Sequence, residues 1–136
     1  QTFDAPRTLL YMTRQETSET LDDITLLLQV PADKVFETVE STVLWPGPVT
    51  LTVYGTEDER LAMLAELKGA SRSFTLHYVY KPEKPSSYPM DYMRKIGVDS
   101  AKTNNVFLVD KLDELEYTKG VHSSALVRTT LNAQNK

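Results

Sequence analysis

Asp110, Asp113 and Glu114 form an acidic cluster directly after an apolar strand pattern. Carboxylates at the carboxyl end of a strand can hold a divalent cation that bridges a diphosphate. The same side chains can instead cap a following helical turn by accepting from its free amides. Arg94, on the helical pattern just upstream, suits either a ligand phosphate or the carboxylate of Asp91. His77 lies mid-strand and His122 is the only other histidine, which excludes a histidine-rich metal centre. Trp45 with Tyr78, Tyr80, Tyr88 and Tyr92 could stack on a base or sugar, although their spacing also suits core and rim packing. The five glycines stand singly, so neither phosphate-binding glycine loop is present, and serine-nucleophile elbows and paired-histidine zinc helices are absent too.

The elements that must position these residues alternate between strand and helix. Ile24–Val30 is a near-continuous apolar run closed by Pro31, which suits a central strand covered on both faces. Val35, Phe36, Val39 and Val43 repeat at helical spacing and predict one amphipathic helix over Asp33–Leu44. Trp45-Pro46-Gly47-Pro48 must break it. Val49–Tyr54 is the second strand of the pattern, and Thr56 with Glu59 is a capping box opening a helix with Leu61, Met63, Leu64 and Leu67 as its buried stripe. Ser73–Tyr80 alternates, which predicts a half-exposed strand near a sheet edge. Pro89 opens a helix reaching about Lys102, with Met90, Met93, Ile96, Gly97 and Ala101 inward, and a strand ending at Asp110 follows.

Such alternation predicts right-handed crossovers in a mainly parallel sheet, an α/β three-layer sandwich. Its ligand would sit at the carboxyl ends of the strands. Residues 1–23 read as an extended N-terminal arm and linker, in which Leu9–Met12 could add an edge strand, pack on a neighbouring subunit or stay free. The α/β domain takes 24–117, and 118–136 is a C-terminal extension.

With 15 basic against 19 acidic residues the net charge is −4, so no direct contact with nucleic acid is expected. No apolar run approaches the roughly 20 residues that span a bilayer. The absence of cysteine removes disulfides and thiolate metal sites. The chain opens on Gln1 rather than Met, so its targeting segment is not visible and an organellar or secretory route stays open.

Five segments in register then resemble the LARGE-type (family 49) glycosyltransferases: Ile24–Gln29, Trp45–Leu51 with Tyr54, His77–Lys81, Tyr88-Pro89-x-x-x-Met93-Arg94 and Val106-Phe107-Leu108-x-Asp110. The resemblance implies a GT-A, Rossmann-like fold, here its nucleotide-binding half, truncated before the acceptor site. It also implies a nucleotide-sugar donor and Mn²⁺ held by a D-x-D motif. Asp110 stands at the first acid of that motif and Leu112 at the second, with Asp113 one position late, so a metal would rest on Asp110 and Asp113. By the same resemblance Gln29, Tyr88, Asp91 and Arg94 would contact the donor. Because Leu112 cannot ligate a metal, the expectation is a degenerate domain, a non-catalytic scaffold or interaction subunit of a larger assembly with other protein subunits as partners and no cofactor. The alternative is an active metal-dependent glycosyltransferase, or a fragment of one, that uses Mn²⁺ and a nucleotide-sugar.

Overall fold

The computed structural model describes residues 6–14, 23–43, 45–82 and 89–109. Along them run β1 (Thr8–Thr13), β2 (Ile24–Pro31), a 3-10 turn (Ala32–Lys34), α1 (Val35–Ser41), β3 (Val49–Gly55), α2 (Glu57–Leu67), β4 (Thr75–Tyr80), α3 (Met90–Ser100) and β5 (Asn105–Val109). The strands form one sheet of order β1-β4-β3-β2-β5, with β4, β3, β2 and β5 parallel and β1 antiparallel. This is the expected α/β architecture, Rossmann-like and GT-A-like.

Every residue of β2 from Ile24 to Val30 is buried, because β2 is paired on both edges and covered on both faces. On one face Leu26, Leu28, Leu51 and Val53 pack with Val35 and Val39 of α1 and Met63 of α2. On the other, Tyr54 and Val79 pack with Met93 of α3, and Tyr92 and Ile96 close around them. Gly97 lets α3 settle onto the strands. A methyl group there would lie 3.5 Å from both Leu27 methyls and 3.6 Å from Thr52 Oγ1, so a larger side chain would lift the helix.

Several expectations need correction. α1 stops at Ser41, well before Leu44, because the Thr42 hydroxyl donates to the Val39 carbonyl at 2.7 Å and the chain turns out of the helix. Val43 is consequently 57% exposed instead of inward. Leu61, expected in the α2 stripe, is 53% exposed. It lies two residues from Met63, about 200° around a helix, and cannot share its face. The capping box is present as read: Thr56 Oγ1 accepts from the Glu59 N–H at 3.2 Å and the Glu59 carboxylate accepts from the Thr56 N–H at 2.9 Å.

β4 is fully buried and not an edge strand. The arm covers it: Thr8 and Leu9 of β1 pair with Val79 and Tyr78, and Thr13 pairs with Leu76 across a bulge. At the bulge Tyr11 adopts φ 57°, a left-handed conformation that a tyrosine holds only when its surroundings fix it.

Arg72 secures the proline-rich turn. Its Nη1 donates to the Thr42 and Trp45 carbonyls at 2.8 Å each and its Nη2 to the Gly47 carbonyl at 2.9 Å. The Trp45 ring thereby stays stacked on Phe107 of β5, centroids 5.9 Å apart and planes at 10°. Arg72→Ala should lower unfolding stability by about 2–4 kcal/mol, because three buried carbonyls lose charge-assisted donors. Arg72→Lys should recover little, since one ammonium cannot span the same three acceptors. Urea denaturation of both variants checks this.

Candidate functional site

The chain leaves β2 towards β3 on the α1 face, whereas β5 returns to the other edge of β2 from α3 on the opposite face. The strand order therefore reverses between β2 and β5, the point in such sheets at whose carboxyl end a ligand crevice is expected. β5 ends at Val109, paired with Leu28, so Gln29, Val30 and Pro31 reach beyond it among the described residues. Leu108 on the α3 side of β5 stays exposed, so α3 does not roof this end of the sheet.

Gln29 lies in this last stretch of β2. It is 7% exposed, yet neither its amide nitrogen nor its amide oxygen has a hydrogen-bond partner among the described residues. Thr52, its register partner on β3, has an equally unpartnered buried hydroxyl. An unsatisfied buried polar group costs about 1–3 kcal/mol, and ligands or ordered water commonly meet such groups.

His77 on β4 completes the row, opposite Thr52, and its ring is satisfied. Its Nδ1 accepts the Tyr11 N–H at 2.9 Å, which leaves Nε2 to carry the proton towards Ser100 Oγ at 2.9 Å. Ser100 Oγ in turn donates to the Ile96 carbonyl at 2.5 Å. The Tyr11 ring meets the imidazole edge-on at 4.7 Å. Burial, helped by the nearby Arg14 charge, lowers the imidazole to about pKa 4. His77 is thus a neutral joint between β1 and α3.

α3 runs back across the sheet, so its first turn lies at the carboxyl end. Arg94 Nη1 sits 3.3 Å from Asp91 Oδ1, an exposed pair one turn apart. Tyr92 and Ile96 pack on the Tyr54–Val79 side, and Arg94 leaves the opposite flank of the helix. Tyr92 is tied elsewhere, its hydroxyl 2.9 Å from Thr8 Oγ1. The structure thus brings Gln29 and Arg94 to the same end of the sheet. Tyr88, Asp110 and Asp113 lie outside the described residues. Among the described residues no group of three or more histidines or acids comes together to hold a metal ion.

A cluster unmarked in the sequence reading stands on the same rim, at the ends of β3 and β4. The Glu57 carboxylate accepts from Arg60 Nε at 2.6 Å, Arg60 Nη2 at 2.8 Å and the Tyr80 hydroxyl at 2.8 Å. These donors, Arg60 foremost, hold its pKa down at about 2. Arg7 lies over the Tyr80 ring, 4.4 Å from its centroid. The Glu57-x-x-Arg60 spacing could have signalled the ion pair, but the tyrosine and Arg7 arrive from other strands.

No protein-family profile matches the chain. The xylosyl- and glucuronyltransferase LARGE2s of Danio rerio is 31% identical over 111 residues, 76% of this chain and 14% of that protein. LARGE1 of the same species is 30% identical over 115 residues, 79% of this chain and 15% of the relative. LARGE2s of Gallus gallus is 30% identical over 93 residues, 65% and 12% respectively. The chain carries a LARGE-type glycosyltransferase-like domain. It spans only 12 to 15% of the length of these relatives. In this LARGE-type domain Gln29 stands near the carboxyl end of β2, beside the point where the strand order reverses. No helix among the described residues is long and apolar enough to cross a membrane.

The His77 joint has a pH signature. An unfolded chain with histidine near pKa 6.5 binds a proton that the folded domain refuses, so stability should fall as pH drops from about 6.5 towards 4 and level off below. His77→Gln should flatten that slope by up to one proton. Urea midpoints from pH 4 to 8 and the His77 ring resonances read both.

Proposed function

We propose that the domain is a degenerate glycosyltransferase-like module acting as a non-catalytic scaffold or interaction subunit of a larger assembly, whose partners are other protein subunits. The observation that carries this reading is Leu112, which stands where the second metal-binding acid of the family's motif belongs. A leucine supplies no oxygen to a hard divalent cation. Fold is a guide to ancestry here and does not guarantee turnover.

A second reading is favoured by Gln29. Its buried amide offers a donor and an acceptor with no partner among the described residues, which suits recognition of a nucleotide-sugar. Under this reading the protein transfers a sugar, Asp110 and Asp113 hold Mn²⁺, and Gln29, Tyr88, Asp91 and Arg94 hold the donor. The relatives' names support a transferase ancestry for either reading.

Titration calorimetry with UDP and UDP-sugars, with and without Mn²⁺, separates the two. Silence with every nucleotide at millimolar concentration is the scaffold outcome. Metal-dependent binding lost in Asp110→Ala would overturn it and establish the second reading. Gln29→Leu sharpens the comparison. It should raise stability by about 1 kcal/mol by removing an orphaned amide, and in the binding case it should abolish nucleotide affinity at the same time.

A further inference from the structure

At the opposite, amino-terminal end of the sheet, β2, β3 and β4 each place a threonine on the α3 face: Thr25, Thr50 and Thr75. With Ser100 at the end of α3 they line a pocket of about 40 Å³, whose mouth carries Arg14 and Lys102. A single water needs roughly 10–15 Å³, so the pocket has room for one small polyatomic ion or a few waters.

Its polar groups are unevenly satisfied. Thr25 Oγ1 is paired with Thr103 Oγ1 at 2.7 Å. Thr50 is 6% exposed and its hydroxyl makes no hydrogen bond among the described residues. Arg14 lies over the Tyr11 ring, 4.2 Å from the centroid, and its guanidinium N–H groups make no hydrogen bond among the described residues. Lys102 has no acidic partner among the described residues. The neighbouring acids are engaged: Asp99 pairs with Lys95 at 2.8 Å, and Asp23 Oδ1 accepts the Ile24 N–H at 2.7 Å. In a chain of net charge −4 this places two cations without an acidic partner among the described residues over a floor of buried hydroxyls.

We propose that this pocket binds a free tetrahedral oxyanion, with Arg14 and Lys102 supplying charge and the Thr50 hydroxyl donating from the floor. The geometry favours an anion because both cations line one mouth while the floor offers the Thr50 hydroxyl as a donor and no carboxylate. It favours a free ion because the floor threonines are more than nine-tenths buried, too deep for a bulky carrier to follow. The site is independent of the crevice, which lies at the other end of the strands.

The test is a titration of the 136-residue chain with sodium phosphate against sodium chloride at matched ionic strength, followed by amide NMR shifts. Saturable shifts at Thr25, Thr50, Thr75 and Lys102 with phosphate alone are expected. The double variant Arg14→Gln/Lys102→Gln should weaken binding by about tenfold or more. Thr50→Val should weaken it several-fold while leaving the phosphate-free melting temperature unchanged, since the hydroxyl makes no bond in the fold. Lys68→Gln, remote from the pocket, should leave binding intact. Equal shifts with chloride, or undiminished binding in both pocket variants, would overturn the proposal. Displacement of phosphate by an equal concentration of O-phosphoserine would overturn the free-ion assignment in favour of a tethered phosphate monoester.

Discussion

β2 is flanked on both edges by parallel strands whose crossovers run over opposite faces of the sheet, and the rest of the domain depends on that constraint. A parallel strand cannot be reached by a tight turn, so each neighbour requires a crossover that must bury its apolar side. The right-handed rule sends the α1 and α2 crossovers over one face and the α3 crossover over the other. Leu27 and Leu28, adjacent in sequence, therefore serve different cores. This change of direction is what makes the carboxyl ends of β2 and β5 the place where such folds commonly bind ligands.

The α3 face is where the domain departs from pure packing. Gly97 brings the helix onto Leu27 and Thr52, yet the same face carries Gln29, Thr52 and His77 in one row across three strands. A row chosen for stability alone would be aliphatic. His77 is justified structurally, because it ties Tyr11 of the arm to Ser100 of α3. Gln29 and Thr52 have no such bond within the described residues, and that contrast separates a polar residue held for the fold from one available to a ligand.

The arm and the proline-rich turn extend the same logic to the margins. β1 removes the exposed edge of β4, and its own outer edge is bent by the bulge at Tyr11, a geometry that discourages further strand pairing. Arg72 holds three carbonyls of the turn after α1, fixing the Trp45 ring against Phe107. The rim cations are largely neutralised: Arg60 by Glu57 and Lys81 by Glu59 at 3.6 Å.

The sequence by itself determined the elements and their order, because those are local properties. The apolar run of β2, the Thr56–Glu59 box and Pro89 at the start of α3 each act within a few residues. The alternation of strand and helix then restricted the topology to crossovers in a parallel sheet, and five segments in register carried the likeness to LARGE-type enzymes. Only the tertiary structure decided that the Leu9–Met12 island covers β4, that α1 ends where the Thr42 hydroxyl takes the Val39 carbonyl and Arg72 takes the carbonyls of the turn beyond, and that Leu61 faces outward. It alone decided that His77 is spoken for while Gln29 and Thr50 have no side-chain partner among the described residues. Each of these depends on groups far apart in the chain, and whether a buried polar atom finds a partner is set by how strands and helices converge, which no local pattern of residue types records.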